Sequence, residues 1–117
     1  MATRSVVSNK AFAFAVDIVN IVRQLQKQHR EYVLSRQLLR SGTGIGANIE
    51  EALAGQSRRD FIAKMSIASK ETRESAYWLR LLRETGYLNA DMATSIESDC
   101  RELRNMLTAI VKTSQES

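Results

Sequence analysis

Proline is absent from this 117-residue chain, and glycine (5), cysteine (1), tryptophan (1) and histidine (1) are scarce. Sandwiches and barrels of short strands need turns rich in Gly and Pro, so these absences point instead to long uninterrupted helices. A single cysteine excludes an intrachain disulfide and a cysteine-based metal cluster, and it suits a reducing compartment. No apolar run reaches the roughly 18 residues that a bilayer span needs. The one stretch resembling a signal-peptide core, residues 11–22, is interrupted by Asp17 and Asn20 and lacks a small-residue cleavage site. The expectation is a cytoplasmic protein, a single domain over residues 1–117, with no cofactor and no metal.

What the chain does have is helical periodicity. With 44% hydrophobic and 26% charged residues its composition is that of a globular domain. Ala11, Phe14, Ile18, Ile21 and Leu25 step by three and four, and Phe12, Val16, Val19 and Val22 make a second stripe beside them. That face is wider than one neighbouring helix covers. Leu34, Leu38, Ser41, Ile45, Asn48 and Ala52 continue the period in a second block, flanked by Ile49 and Leu53. Phe61, Met65, Ala68, Thr72, Ser75, Leu79 and Leu82 form a third, and Ala93, Ile96, Cys100, Leu103, Leu107 and Ile110 a fourth. Both alternate three and four as a bundle seam does, which makes Cys100 a small core residue.

Boundary residues agree with the blocks. Ser57 with Asp60 three positions on resembles a capping box, Gly86 suits a left-handed helix end with Tyr87 folding back on Leu82, and Asn89 suits an N-cap. The polar run Gln28–Tyr32 separates two apolar phases and marks the first turn. The predicted helices span approximately 8–28, 32–55, 58–85 and 90–114. Connections this short force an all-α, antiparallel, up-down-up-down four-helix bundle.

Gly42, Gly44 and Ala47 literally match the spacing of a dinucleotide-binding fingerprint. That fingerprint needs a strand before it, whereas Leu34–Leu39 continues a helical period, and no Gly-Lys-Ser/Thr follows to make a phosphate loop. Three glycines inside a helix cost roughly 3 kcal/mol relative to alanine. The offset is close packing: Gly42 and Gly46, one turn apart, make a groove for another helix, either in the bundle or in another subunit.

The run Arg40-Ser41-Gly42-Thr43-x-Ile45-Gly46-Ala47-Asn48-Ile49-x-Glu51-Ala52 is followed by Asp60-Phe61-Ile62, Ser66-Ile67-Ala68, Lys70-Glu71, Glu74 and Trp78-Leu79. Together they resemble the small four-helix-bundle family encoded in intervening sequences of bacterial 23S ribosomal RNA genes, with the accessory variability protein of diversity-generating retroelements as a relative. The resemblance spans nearly the whole chain. It implies assembly as a ring-shaped homopentamer and, for the retroelement relatives, a basic surface that binds nucleic acid and a reverse transcriptase. It implies no enzymatic activity.

Charge is unevenly distributed. Residues 1–30 hold five basic and one acidic residue, and residues 57–86 hold seven and four, whereas residues 31–56 and 87–117 are net acidic. In an up-down bundle one pole gathers Arg23, Lys27, Arg30, Arg36, Arg40, Arg80 and Arg83 against Glu31, Glu84 and Asp91. Arg outnumbers Lys 12 to 5, and the planar guanidinium fork suits phosphate. A pentamer would raise the net charge of +4 to about +20, enough for salt-sensitive attraction to a polyanion. Solvated surface charge is the plain alternative. Arg58 and Arg59 sit unfavourably in the first turn of the third helix, either to meet an anion or at a tolerated cost.

Three other features need weighing. Asn48 and Glu51 with Lys70, Glu71 and Glu74 suggest a register-fixing pair, such as Glu51 with Lys70 or Arg73, and lack the histidines of a di-metal bundle. Arg23 and His29 match the short Arg-x-His spacing of helical HEPN-class ribonucleases, in which His would protonate at a scissile phosphate. Trp78, Ile67 and Leu81 lie off the third seam and form a candidate oligomer or partner interface together with Gly42 and Gly46. The reading is a non-enzymatic, basic, oligomeric scaffold for structured RNA or an RNA–DNA duplex, with a reverse transcriptase as a possible protein partner. The competitors are a protein-interaction scaffold with no nucleic-acid role and a ribonuclease.

Overall fold

The computed structural model describes residues 2–116, with side chains from Val6 onward. Four helices follow one another: α1 (Ala2–His29), α2 (Val33–Ala54), α3 (Arg58–Glu84) and α4 (Ala90–Glu116). Each packs on its chain neighbours and α1 returns against α4, giving a closed bundle 46 Å long and about 20 Å across. The antiparallel order follows from linkers too short to cross the bundle. The first and last helices extend beyond their predicted limits, α1 starting at Ala2 instead of near residue 8 and α4 running to Glu116. In α1 the fully buried Val7 keeps the spacing of Ala11 and Phe14, so the apolar period itself runs past the predicted start.

The third block is buried as read: Phe61, Met65, Ala68, Thr72, Ser75, Leu79 and Leu82 all face the core. The fourth is too, from Ala93 to Leu107, with Ile110 packed at its edge. Ser75 donates to Ser41 across the α2–α3 seam at 2.9 Å, which satisfies two buried hydroxyls against each other. On α2 the seam runs through Ile49, not Asn48; the Asn48 amide stays half-buried and donates to the Gly44 carbonyl at 2.8 Å. The two α1 stripes separate. Ala11, Phe14, Ile18, Ile21, Val22 and Leu25 are buried, whereas Phe12 is 71% and Val16 45% exposed.

Caps hold the turns. Ser57 accepts from the Asp60 amide at 3.0 Å and Asn89 from the Met92 amide at 2.8 Å. Gly86 (φ 84°) ends α3 with Tyr87 N donating to Leu82 O at 2.9 Å and Gly86 N to Arg83 O at 3.1 Å, the paired bonds of a Schellman motif. The α1–α2 turn is different: Arg30 occupies the left-handed region at φ 52°, where an L side chain costs on the order of 1 kcal/mol. Glu31 supplies the missing cap of α2 by accepting from the Ser35 amide at 2.8 Å.

Candidate nucleic-acid interface

Glu71, Glu74 and Trp78 share the flank of α3 that meets α2, because positions three, four and seven apart stack on one helix face. Arg40 of α2 forms ion pairs with Glu71 (3.5 Å) and Glu74, and the Trp78 indole donates to Glu74 Oε2 at 3.1 Å. The Glu71 side chain is only 15% exposed. Room for it comes from Gly44, since a Cβ there would lie 2.5 Å from Glu71 Oε2. The glycine that suggested a phosphate loop therefore admits a carboxylate in the middle of a helix. Arg40, assigned to the basic pole from its position, is committed to this network instead. Glu51 pairs with Lys64 at 3.2 Å, not with Lys70 or Arg73, because the far half of α2 lies beside the near half of antiparallel α3.

The opposite flank of α3 has the reverse character. Arg73, Tyr77 and Arg80 project from it toward Glu97, Arg101 and Arg104 of α4, and these residues line an open groove of about 350 Å³. Thr72, Ala76 and Cys100 complete its lining. Burial pushes the Cys100 thiol up to about 11, so it is neutral at physiological pH, and it donates to the Thr72 carbonyl at 3.2 Å. The one acid, Glu97, is taken by Arg83 Nε at 3.0 Å. Arg73, Arg80, Arg101 and Arg104 make no ion pair among the described residues. The Arg80 guanidinium lies over the Tyr77 ring at 5.9 Å, and the Tyr77 ring meets Trp78 edge-on at 5.1 Å.

Arg73, Arg101 and Arg104 were not legible as a site. Arg101 and Arg104 fall in a segment that is net acidic in sequence, and only the register of α4 against α3 brings them opposite Arg73 and Arg80. The pole itself keeps Arg23, Lys27, Arg30 and Arg36 exposed, without an ion pair among the described residues, and Arg36 lies 5.9 Å above the Tyr32 ring. Arg83, also assigned to the pole, is paired with Glu97 and, at 3.8 Å, with Glu84. Arg23 and His29 do not converge. Six positions on one continuous helix put them about 120° apart around its axis, and His29 meets Tyr87 edge-on at 5.4 Å. Among the described residues no group of three or more His, Cys, Asp and Glu side chains could hold a metal ion.

Of the two roles expected for Gly42 and Gly46, packing within the bundle or against another subunit, the contacts within the chain supply the first. A Cβ on Gly42 would meet two carbons of Ile18 at 2.9 Å, and one on Gly46 would touch Ala11 at 3.7 Å. Both glycines thus serve the α1–α2 approach. Of the other interface candidates, Trp78 and Leu81 are half-buried and Ile67 is 41% exposed. Phe12 and Val16 are the larger apolar exposure on α1.

Fold and surface define a four-helix bundle carrying unpaired arginines at one pole and along one groove. The chain belongs to the 23S rRNA-intervening sequence protein family, which it matches over residues 3–109. It is similar to a crystallised protein of unknown function from the S23 ribosomal protein family of Bacteroides thetaiotaomicron, with 47% identity and a TM-score of 0.92 over 94% of this chain and 98% of that one. No curated protein matches it. Neither the family nor the solved relative indicates an enzyme, and no helix among the described residues is long and apolar enough to cross a membrane.

Proposed function

We propose that this protein is a non-enzymatic scaffold that binds RNA, or an RNA–DNA duplex, through uncompensated cationic surface, and that it does so as a homo-oligomer. The observation that carries the reading is the pairing pattern. Arg40 and Arg83 have acidic partners, whereas Arg23, Lys27, Arg30, Arg36 and Arg80 are exposed at the same end of the bundle without one among the described residues. Unpaired arginines cost like-charge repulsion in the free protein and return it when they meet phosphate. Arg30 adds support, because it occupies a left-handed position where glycine is cheaper, and so keeps a cation at a conformational cost.

Assembly as a pentamer ring, implied by the family resemblance, would concentrate this charge. The exposed Phe12 and Val16 supply apolar surface for self-association. Sedimentation of the wild type against Phe12→Lys/Val16→Lys tests that part, with a shift toward monomer expected. A reverse transcriptase partner belongs to the retroelement relatives and is a secondary possibility for this chain.

The binding test is an anisotropy titration of labelled duplex RNA at low and moderate salt, with Arg23→Glu/Lys27→Glu/Arg36→Glu as the comparison. Neutralising several phosphate contacts predicts affinity that falls by orders of magnitude with added salt and collapses in the variant. Equal binding by both proteins, or none by either, removes the reading and leaves the protein-interaction scaffold.

A further inference from the structure

We propose that the α3–α4 groove is a site for an unpaired nucleotide segment, with phosphates on Arg73, Arg101 and Arg104 and a base on the Tyr77–Arg80 pair. The proposal rests on the nucleic-acid reading above and names the class of nucleic acid this groove takes.

Four observations converge on it. First, two helical stripes face one another across the groove, Arg73 with Arg80 and Arg101 with Arg104, and its only carboxylate is held by Arg83. Second, the lining between them is neutral: Ala76, the buried Thr72 and a Cys100 thiol that burial keeps protonated. An anion entering the groove therefore meets four arginines against one carboxylate, Glu97, whose charge Arg83 offsets. Third, Tyr77 is 49% exposed beside the groove and already holds a guanidinium over its ring. Aromatic rings beside a positive groove stack unpaired bases, whereas paired bases are hidden within a duplex. Fourth, the groove is a concavity of about 350 Å³ between two helices, which admits a flexible strand more readily than the rigid outer face of a double helix.

An acidic peptide would satisfy the arginines but leaves the Tyr77 ring without a role. Seven residues separate Arg73 from Arg80, about 10.5 Å along α3, so an extended strand can lie along the stripe while a single phosphate cannot reach both ends.

The sole tryptophan supplies a built-in reporter. Trp78 touches the Tyr77 ring edge-on, so a base stacking on Tyr77 changes the Trp78 environment directly. The test titrates the full-length protein with oligouridine and with a blunt RNA duplex of equal length, reading anisotropy and Trp78 emission. Four proteins are compared: the wild type, the groove variant Arg73→Gln/Arg101→Gln/Arg104→Gln, Tyr77→Ala, and the pole variant Arg23→Glu/Lys27→Glu/Arg36→Glu. All substituted side chains are at least partly exposed, and circular dichroism confirms that each variant folds.

The expected result is that oligouridine shifts Trp78 emission and the duplex does not. The groove variant and Tyr77→Ala should each weaken oligouridine binding by about tenfold or more, with duplex binding unchanged. Wild-type oligouridine affinity in both variants overturns the groove; if the pole variant then still loses duplex binding, the general function survives without it. Polyglutamate that displaces oligouridine and binds the groove-dependent site tightly, without regard to Tyr77, overturns the proposal in favour of an acidic protein partner. Failure of the wild type to bind either RNA removes the groove proposal and the proposed function together.

Discussion

Helix α3 has two flanks built from the same kinds of residue, and they end in opposite electrostatic states. Toward α2, Arg40 meets Glu71 and Glu74, Glu74 accepts from Trp78, and Gly44 makes the space. Toward α4, four arginines surround a neutral floor and the nearest carboxylate is engaged elsewhere. The first flank spends its charge within the molecule; the second leaves it available. The glycine-rich run passes through the first flank, where its polar residues hold two helices in register.

Removing a cation from each flank gives the sharpest contrast. Arg40→Ala leaves the mostly buried Glu71 facing Glu74 without a counter-charge, with an expected loss of about 2 kcal/mol in urea unfolding. Arg104→Ala should change stability by less than about 0.5 kcal/mol, since no partner is lost. Equal losses for the two would erase the distinction between the flanks.

The next effect tests whether the small residues of the motif serve internal packing. Gly42→Ala pushes a methyl against the branched Ile18 side chain, whose χ1 has little freedom, and should destabilise by about 1 kcal/mol after the helix-propensity gain is counted. Gly46→Ala makes only an ordinary contact with Ala11, so the same propensity gain should stabilise it by about 0.5–1 kcal/mol. Thermal melts of the two variants should therefore move in opposite directions.

Arg30→Gly relieves the left-handed strain of the α1–α2 turn and should stabilise by several tenths of a kcal/mol, because the glycine's own backbone entropy offsets part of the relief. The same variant should bind RNA more weakly, which separates strain kept for a cation from strain without use. The smallest effect concerns the α1–α4 side. Burial, then repulsion from Asp17 and Glu102, holds the Asp99 carboxyl above its ordinary value, with Lys10 opposing. A raised carboxyl favours the native state while protonated and loses that advantage as pH rises through its pKa. Asp99→Asn should thus gain slightly on the wild type near neutrality, and the gain should vanish in acid, as chemical denaturation at the two pH values would show.

The seams of α3 and α4 were readable because burial on one face imposes a strict three-four alternation, and every assigned seam position from Phe61 to Leu82 is buried. The caps at Ser57, Gly86 and Asn89 were readable because their bonds span only three to five residues. The candidate site was readable only in part. Exposed cations leave no periodic signature, and a list of arginines at one pole cannot separate Arg40 and Arg83, which have partners, from Arg23 and Arg36, which have none among the described residues. The pairing of Glu51 with Lys64 failed prediction for the same reason, since it depends on how far one helix slides along another.

What the sequence determined by itself is therefore everything local or periodic: four helices, their order, the faces they bury and the glycine-rich run that marks the family. Tertiary structure alone decided which charges cancel. An ion pair depends on a distance between side chains on different helices, and a shift of one turn, about 5.4 Å, exchanges one partner for another. Gly44 opposite Glu71 and Arg104 opposite Arg73 are products of that register, and they separate the closed flank of α3 from the open one.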